Sequence, residues 1–294
     1  MTGAHTVEHA WMPRSPCGSG CVSPNVEPVG SLRYAARWTA LLVIVFLSPL
    51  LIVLRLLPTP MSTRVQRRLA RALLRACGIG FRCSGDQEFE AEGRAVMVVA
   101  QHVSWLDVVG LPAVQPVSMV ARADVAEWML IGIAARAVHT IFVDRARLRQ
   151  LPEAVEVVRD RLRSGRTVAV FPEGTTWCGN GRGGFRSAFF QAAVDTGVPV
   201  RPVAVHYLQR AGGRTTAPAF VGDETMGQSL RRVLRLRGVV LELTLLPVQQ
   251  PGTDRRVLAA RCTAAVQAVH GGGPSWPSDP KLSHSDVDTA VLAG

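Results

Sequence analysis

Val96-Met97-Val98-Val99-Ala100-Gln101-His102-Val103-Ser104-Trp105-Leu106-Asp107 is the stretch on which the fold turns. Its opening run of apolar, valine-rich residues predicts a buried strand over 96–100. The histidine that follows stands where the chain leaves the sheet, and an aspartate comes five positions later. In an α/β fold the carboxyl ends of strands border a crevice. An imidazole placed there faces a substrate, and a carboxylate one turn on holds its ring. With Ser104 as the cap of a helix, His102 sits just before the first turn and Asp107 within it. A spacing of five does not align two residues on a regular helix, so the pair has to meet through the turn itself.

The pattern repeats outward from this stretch. Apolar runs over 117–121, 140–143, 167–171, 200–205 and 239–246 predict further strands, and the segments 104–113, 124–137, 149–164, 185–196, 225–237 and 254–269 predict helices between them. The alternation predicts an α/β fold with a mixed central sheet flanked by helices. A chain of 294 residues can bury one substantial core, and one globular domain is expected.

Residues 1–33 hold many Pro, Gly and Ser and no apolar periodicity, and are expected to be disordered. The same is expected of 271–294, with its Gly271-Gly272-Gly273-Pro274 run. Between these ends and the domain, residues 34–77 read as an N-terminal membrane-associated helical segment. From Trp38 to Leu54 there is no charged residue, a length at the short edge of the roughly 17–25 residues that cross a bilayer. Pro49 breaks or kinks a helix, so a true span and a hairpin dipping into one leaflet are both open, beside a buried core helix. Further on, Met61, Val65, Leu69, Leu73 and Ala76 recur at helical spacing among Arg64, Arg67, Arg68, Arg71 and Arg75. Such a basic amphipathic helix either lies in a lipid headgroup layer, cytoplasmic by the positive-inside bias, or packs on the domain with a solvated arginine face.

The net charge of +11 is almost all arginine, Lys281 being the single lysine, and it points to an anionic partner such as membrane lipid or a phosphorylated substrate. No nucleic-acid partner is expected, because aromatic residues do not interleave with the arginines. Cys17, Cys21, Cys77, Cys83, Cys178 and Cys262 lack the paired short spacings of a zinc site, so reduced, mostly buried thiols and no metal are expected.

Two more strand ends carry polar groups: Asp144-Arg145 after 140–143, and Pro172-Glu173-Gly174-Thr175 after 167–171. Together with His102 to Asp107 they resemble the glycerolipid acyltransferase family, of the bacterial lysophosphatidate (1-acylglycerol-3-phosphate) acyltransferase type. His102 to Asp107 is similar to its H-x-x-x-x-D motif, Ile141 to Arg145 to its second block, Phe171 to Thr175 to its third and Val198 to Ala204 to its fourth, in family order. The similarity runs from about Leu73 to Leu246.

The resemblance implies an acyltransferase domain over 78–270, acting in phospholipid biosynthesis. It implies transfer of an acyl group from a thioester co-substrate, acyl-CoA or acyl carrier protein, to the free hydroxyl of a lysophospholipid, as in making phosphatidate from lysophosphatidate. His102 would be the general base and Asp107 its orienting partner. Arg145, Glu173, Gly174 and Thr175 would bind the acceptor's phosphate and glycerol, and the block around Pro202 would shape the acyl-donor pocket. No cofactor or metal is needed, since the thioester is already activated. The implied location is the cell membrane, with the active domain on the cytoplasmic side.

Two positions depart from the family pattern. Gln101 stands where many members have Asn, and Thr176 where relatives often carry an arginine. Arg182 or Arg186 then replaces that arginine, or the acceptor is a phosphate-free lipid such as a lyso-ornithine lipid. Trp177, Cys178 and the glycines up to Gly184 read as a flexible loop that senses the acceptor. A non-catalytic protein that binds anionic lipid is the reading against which intact His102, Asp107 and Glu173 argue. Activity is expected to fall in acid, because a protonated imidazole cannot accept the hydroxyl proton.

Overall fold

The computed structural model describes residues 15–23, 27–47, 59–90, 93–122, 140–143, 151–270 and 275–276, with Gly132 and Arg136 between them. In chain order the elements are α1 (Ser31–Leu47), α2 (Thr59–Ala76), β1 (Gly80–Gly85), β2 (Met97–Ala100), α3 (Trp105–Val114), β3 (Ser118–Arg122), β4 (Ile141–Val143), α4 (Leu151–Arg163), β5 (Val168–Val170), β6 (Arg182–Gly183), α5 (Phe190–Thr196), β7 (Val200–Gln209), α6 (Met226–Arg235), β8 (Val239–Leu245), α7 (Arg255–His270) and β9 (Ser275–Trp276). A 3-10 turn, Ser19–Cys21, precedes them.

Seven strands form one sheet in the order β1-β8-β7-β2-β5-β3-β4. All neighbours run parallel except β7 and β8, which are antiparallel, so the sheet is mixed as the alternating pattern predicts. Because β2, β5, β3 and β4 run the same way, their carboxyl ends lie on one edge. The chain skips from β2 over β5 to β3, and that reversal of order sets the ends of β2 and β5 side by side. The edge strand β1 has no apolar run to announce it; it is half exposed and pairs with β8 from Gly80 opposite Val240.

Both faces of the sheet are covered, which is why the strands read as continuous apolar runs rather than alternating ones. Alternation still sorts their side chains. Val98 and Ala100 of β2 and Val203, Val205 and Tyr207 of β7 join one core with Leu74 of α2, Leu106 and Leu111 of α3 and Leu234 of α6. Met97 and Val99, with Val200 and Ala204, join the other with Val158 and Leu162 of α4, Phe190 of α5 and Leu258 and Cys262 of α7. Each fully buried Leu or Phe in these layers contributes about 1.5–3 kcal/mol by transfer alone.

Expected disorder over 1–33 is corrected for its described part. Cys17 is buried in the first core, the Ser23 amide donates to Thr216 Oγ1 at 2.8 Å, and Pro28 bridges Leu236. This segment gains order from single long-range contacts that no periodicity reveals. Residues 271–294 lie outside the described residues except Ser275–Trp276, which pairs with Arg182–Gly183.

The two N-terminal helices dock on the domain. Arg37 of α1 donates to the carbonyls of Leu234 and Leu236 at 2.8 and 2.7 Å, satisfying the carboxyl end of α6. Beyond it α1 turns apolar side chains to solvent: Leu42, Val43, Phe46 and Leu47 are 49–70% exposed. Of the expected stripe on α2, Met61 is exposed and Val65, Leu69 and Leu73 are only partly covered. The buried face is instead Ala70, Leu74 and Cys77, and the Arg71 Nε donates to Ala113 of α3 at 3.0 Å. The helix packs on the domain by a face that borders that stripe and shares only its last member, Ala76, which is buried. Among the described residues no helix is long and apolar enough to cross a membrane, and Pro49 lies outside them, as does nearly all of the expected helix over 124–137.

Candidate active site

Helix α3 begins with a capping box. Ser104 is its N-cap; its Oγ accepts from the Leu106 amide, and Asp107, at the third helical position, reaches back to accept from the Ser104 amide at 2.8 Å. The same carboxyl oxygen, Oδ2, accepts from the Val103 amide at 2.7 Å and stands 3.1 Å from His102 Nδ1. His102 thus lies two residues ahead of the cap, in the exit from β2, and the backward reach of Asp107 closes the spacing of five. The Asp107 carboxylate is fully buried. Such a group is tolerated only when its oxygens are filled with donors.

Tyr207 supplies the last donor, its hydroxyl giving a 2.6 Å hydrogen bond to Asp107 Oδ1. Burial above all, and then the adjoining Asp107 charge, push the Tyr207 pKa well above its ordinary value, so the phenol stays a donor. Tyr207 escapes a reading of the sequence. It reaches Asp107 only because β7 pairs with β2 and points positions 203, 205 and 207 toward α3; the one visible hint is a phenol inside an apolar strand.

With Nδ1 on Asp107, His102 presents Nε2 as the atom for a substrate. Phe171, at the end of β5, stacks on the imidazole at 4.1 Å and 16° between planes, and the side chain keeps 16% of its surface exposed. The Glu173 carboxylate accepts from the His102 backbone N–H at 2.7 Å. In this structure it therefore braces the turn that carries His102. Gly174 sits in the turn after β5 with φ +74°, a conformation that favours glycine, and its amide donates to Phe171. Thr175 is partly covered beside it.

Of the other sequence-predicted positions, Arg145 lies outside the described residues. Arg186 is exposed, its amide bonded to the Pro172 carbonyl at 3.0 Å. The Thr176 hydroxyl is tied to the Phe220 carbonyl. Pro202 lies in the middle of β7, where the antiparallel ladder with β8 starts one residue later. Buried Arg201 beside it donates to the carbonyls of Phe89 and Leu246 and pairs with Asp86. Through Arg201 that block ties β7 to the segments of Asp86, Phe89 and Leu246.

Trp177 and Cys178 are buried, which corrects the expectation of a flexible loop for its first half. The Trp177 amide donates to the His102 carbonyl at 2.8 Å. Gly183 lies flat on its indole, where a Cβ would stand 2.8 Å from the ring. A cavity of about 970 Å³ opens elsewhere. Gly18, Ser19 and Val22 line it together with Arg231 and Arg235 of α6, and His102 is not among its lining.

The arrangement sets a partly exposed imidazole against a buried carboxylate, a pairing able to take a proton from a hydroxyl. The Acyltransferase family model matches residues 80–206, a span that includes His102, Asp107 and Glu173. A 1-acyl-sn-glycerol-3-phosphate acyltransferase of Neisseria meningitidis is 30% identical over 203 residues, 68% of this chain and 78% of that one. A lyso-ornithine lipid O-acyltransferase of Pseudomonas aeruginosa is 34% identical over 214 residues, 71% and 79%. The crystal structure of the 1-acyl-sn-glycerophosphate acyltransferase PlsC from Thermotoga maritima shares the fold, with a TM-score of 0.62 and 17% identity over 82% of this chain and 96% of that one. The chain therefore belongs to the acyltransferase family, among the enzymes of the lysophosphatidate and lyso-ornithine lipid acyltransferase type.

Proposed function

We propose that the protein transfers an acyl group from acyl-CoA or acyl carrier protein to the free hydroxyl of 1-acylglycerol-3-phosphate, giving phosphatidate. The observation that carries this reading is the 3.1 Å contact of His102 Nδ1 with Asp107, which turns Nε2 outward. His102 Nε2 takes the proton of the acceptor hydroxyl as its oxygen attacks the thioester carbonyl. Asp107 stabilises the imidazolium formed, and its hold by two backbone amides and Tyr207 fixes the ring's orientation. The tetrahedral adduct collapses by breaking the C–S bond, and the imidazolium returns its proton to the departing thiolate. Cofactor and metal are not required for these steps. Arg145 and Thr175, with Arg186, are assigned to the acceptor's head group, and Glu173 with Gly174 to keeping the turn in place.

A lyso-ornithine lipid acceptor is the second reading. It is favoured by Thr176, whose hydroxyl is spent on Phe220 where relatives often carry an arginine, and by the similarity to the Pseudomonas aeruginosa enzyme. The exposed apolar end of α1 and the arginines of α2 support work at a membrane surface, on its cytoplasmic side.

Purified protein incubated with labelled acyl-CoA and, separately, lysophosphatidate and lyso-ornithine lipid tests both. Labelled phosphatidate that disappears with His102→Ala is the expected result. Turnover of the variant at the wild-type rate overturns the base, and product from the ornithine lipid alone overturns the first acceptor.

A further inference from the structure

Cys17 and Cys178 stand 161 positions apart in the chain, yet with Cys21 they form a corner in which the sulfur atoms all lie within 4.8 Å of one another. We propose that these three thiolates bind a zinc ion, with a fourth coordination position left to an exchangeable ligand.

Each segment is shaped for it. Cys17 and Cys21 flank the 3-10 turn Ser19–Cys21, closed by the Cys21 amide donating to the Gly18 carbonyl at 2.9 Å. On the other side Cys178-Gly179-Asn180-Gly181 folds back on its own sulfur. The amides of Asn180 and Gly181 donate to Cys178 Sγ, and the amide of Cys178 donates to Cys17 Sγ at 3.4 Å. Backbone N–H groups aimed at sulfur favour the charged thiolate, the form that ligates metal.

Chemistry selects the ion. Thiolates bound to zinc at about 2.3 Å stand about 3.8 Å apart in a tetrahedron, so the observed triad needs only a small contraction. Soft sulfur donors prefer zinc to the hard cations magnesium and calcium. A disulfide would use two of the three and strand the third. Cys17 and Cys178 are buried and Cys21 is partly exposed, which leaves one side of the site open. The ion would join the 15–23 segment to the chain that follows Thr175, next to the Trp177 amide that holds the His102 carbonyl. It touches none of the groups assigned to proton transfer, so its role is to position. Linear spacing hides the site, because Cys178 comes from the far side of the sheet's connectivity.

The test uses the full chain purified under reducing conditions, with metal content measured by mass spectrometry and cobalt exchanged for zinc. About one zinc per chain is expected, and cobalt should give intense near-ultraviolet thiolate-to-metal absorption. Cys178→Ser and the more exposed Cys21→Ser should each retain at least about tenfold less zinc. Cys262→Ser, on the opposite face of the sheet, should retain it. Less than about a tenth of an equivalent in the full chain, undiminished zinc in both serine variants, or a Cys17–Cys178 disulfide in the reduced preparation each overturns the proposal.

Discussion

The His102–Asp107 turn and the thiol corner adjoin through Trp177 and Cys178, and they are built in opposite ways. At the turn, three of the four groups around the Asp107 carboxylate come from the residues just before it, His102, Val103 and Ser104. The corner draws its sulfurs from the N-terminal segment and from the chain that follows β5, near the middle of the sequence. The first is a closed hydrogen-bond network assembled by one helix start; the second gathers three acceptors around one point. Local geometry pairs an imidazole with a carboxylate, and long-range folding brings together three thiols. Perturbing each should therefore fail differently: the turn in rate, the corner in metal content.

The largest effect expected is from His102→Ala, a loss of kcat on the order of 10²–10⁴-fold with about 1 kcal/mol of destabilisation, because Asp107 Oδ2 keeps the Val103 and Ser104 amides when the ring and its stacking on Phe171 are lost. Steady-state kinetics beside a denaturant titration reads both; a kcat close to that of the unaltered protein would mean that the ring serves packing instead. Asp107→Asn sharpens the contrast by striking rate and stability together. An amide cannot accept from both backbone amides and Tyr207 as the carboxylate does. A kcat loss of roughly 10²–10⁴-fold is expected with about 1–3 kcal/mol of destabilisation. Tyr207→Phe removes the one remote donor. Asp107 Oδ1 then lacks its partner, for a cost of about 1–2 kcal/mol and a rate loss of about tenfold at most. An unchanged denaturation midpoint would show that water replaces the phenol.

The smallest expected effect separates a solitary thiol from the corner. Burial raises the Cys262 pKa from 9.0 to about 12. The unfolded chain ionises this thiol above pH 9 and the folded one does not, so the stability it contributes is present below 9 and lost between 9 and 12. Cys262→Ala should cost about 1 kcal/mol at neutral pH, for the lost methyl-sized volume. That deficit should shrink as the pH rises above 9, read by urea unfolding at each pH. A deficit constant with pH would show that Cys262 ionises freely in the fold.

Much of the site is legible along the chain. The apolar run before Gln101 places a strand, Ser104 announces the cap, and Asp107 falls at the position whose side chain reaches back to it. Those are interactions between neighbours in sequence. Tyr207 is not legible, because its contact depends on which strand lies beside β2 and in what register. Glu173 is legible as a site residue, but its partner, the His102 amide, is set by β5 lying next to β2. The packed face of α2 escapes for a similar reason: Ala70 and Leu74 are buried by α1 and α3, whose positions no periodicity within α2 encodes.

Sequence alone determined the alternation of strands and helices and the meeting of His102 with Asp107, since each follows from forces acting within a turn or two of chain. Tertiary structure alone decided the Tyr207 bond, the bracing role of Glu173, the order of the 15–23 segment and the gathering of Cys17, Cys21 and Cys178. These need residues scores of positions apart to become neighbours. Loop closure and burial of two shared cores fix that proximity, and neither is written in any local pattern.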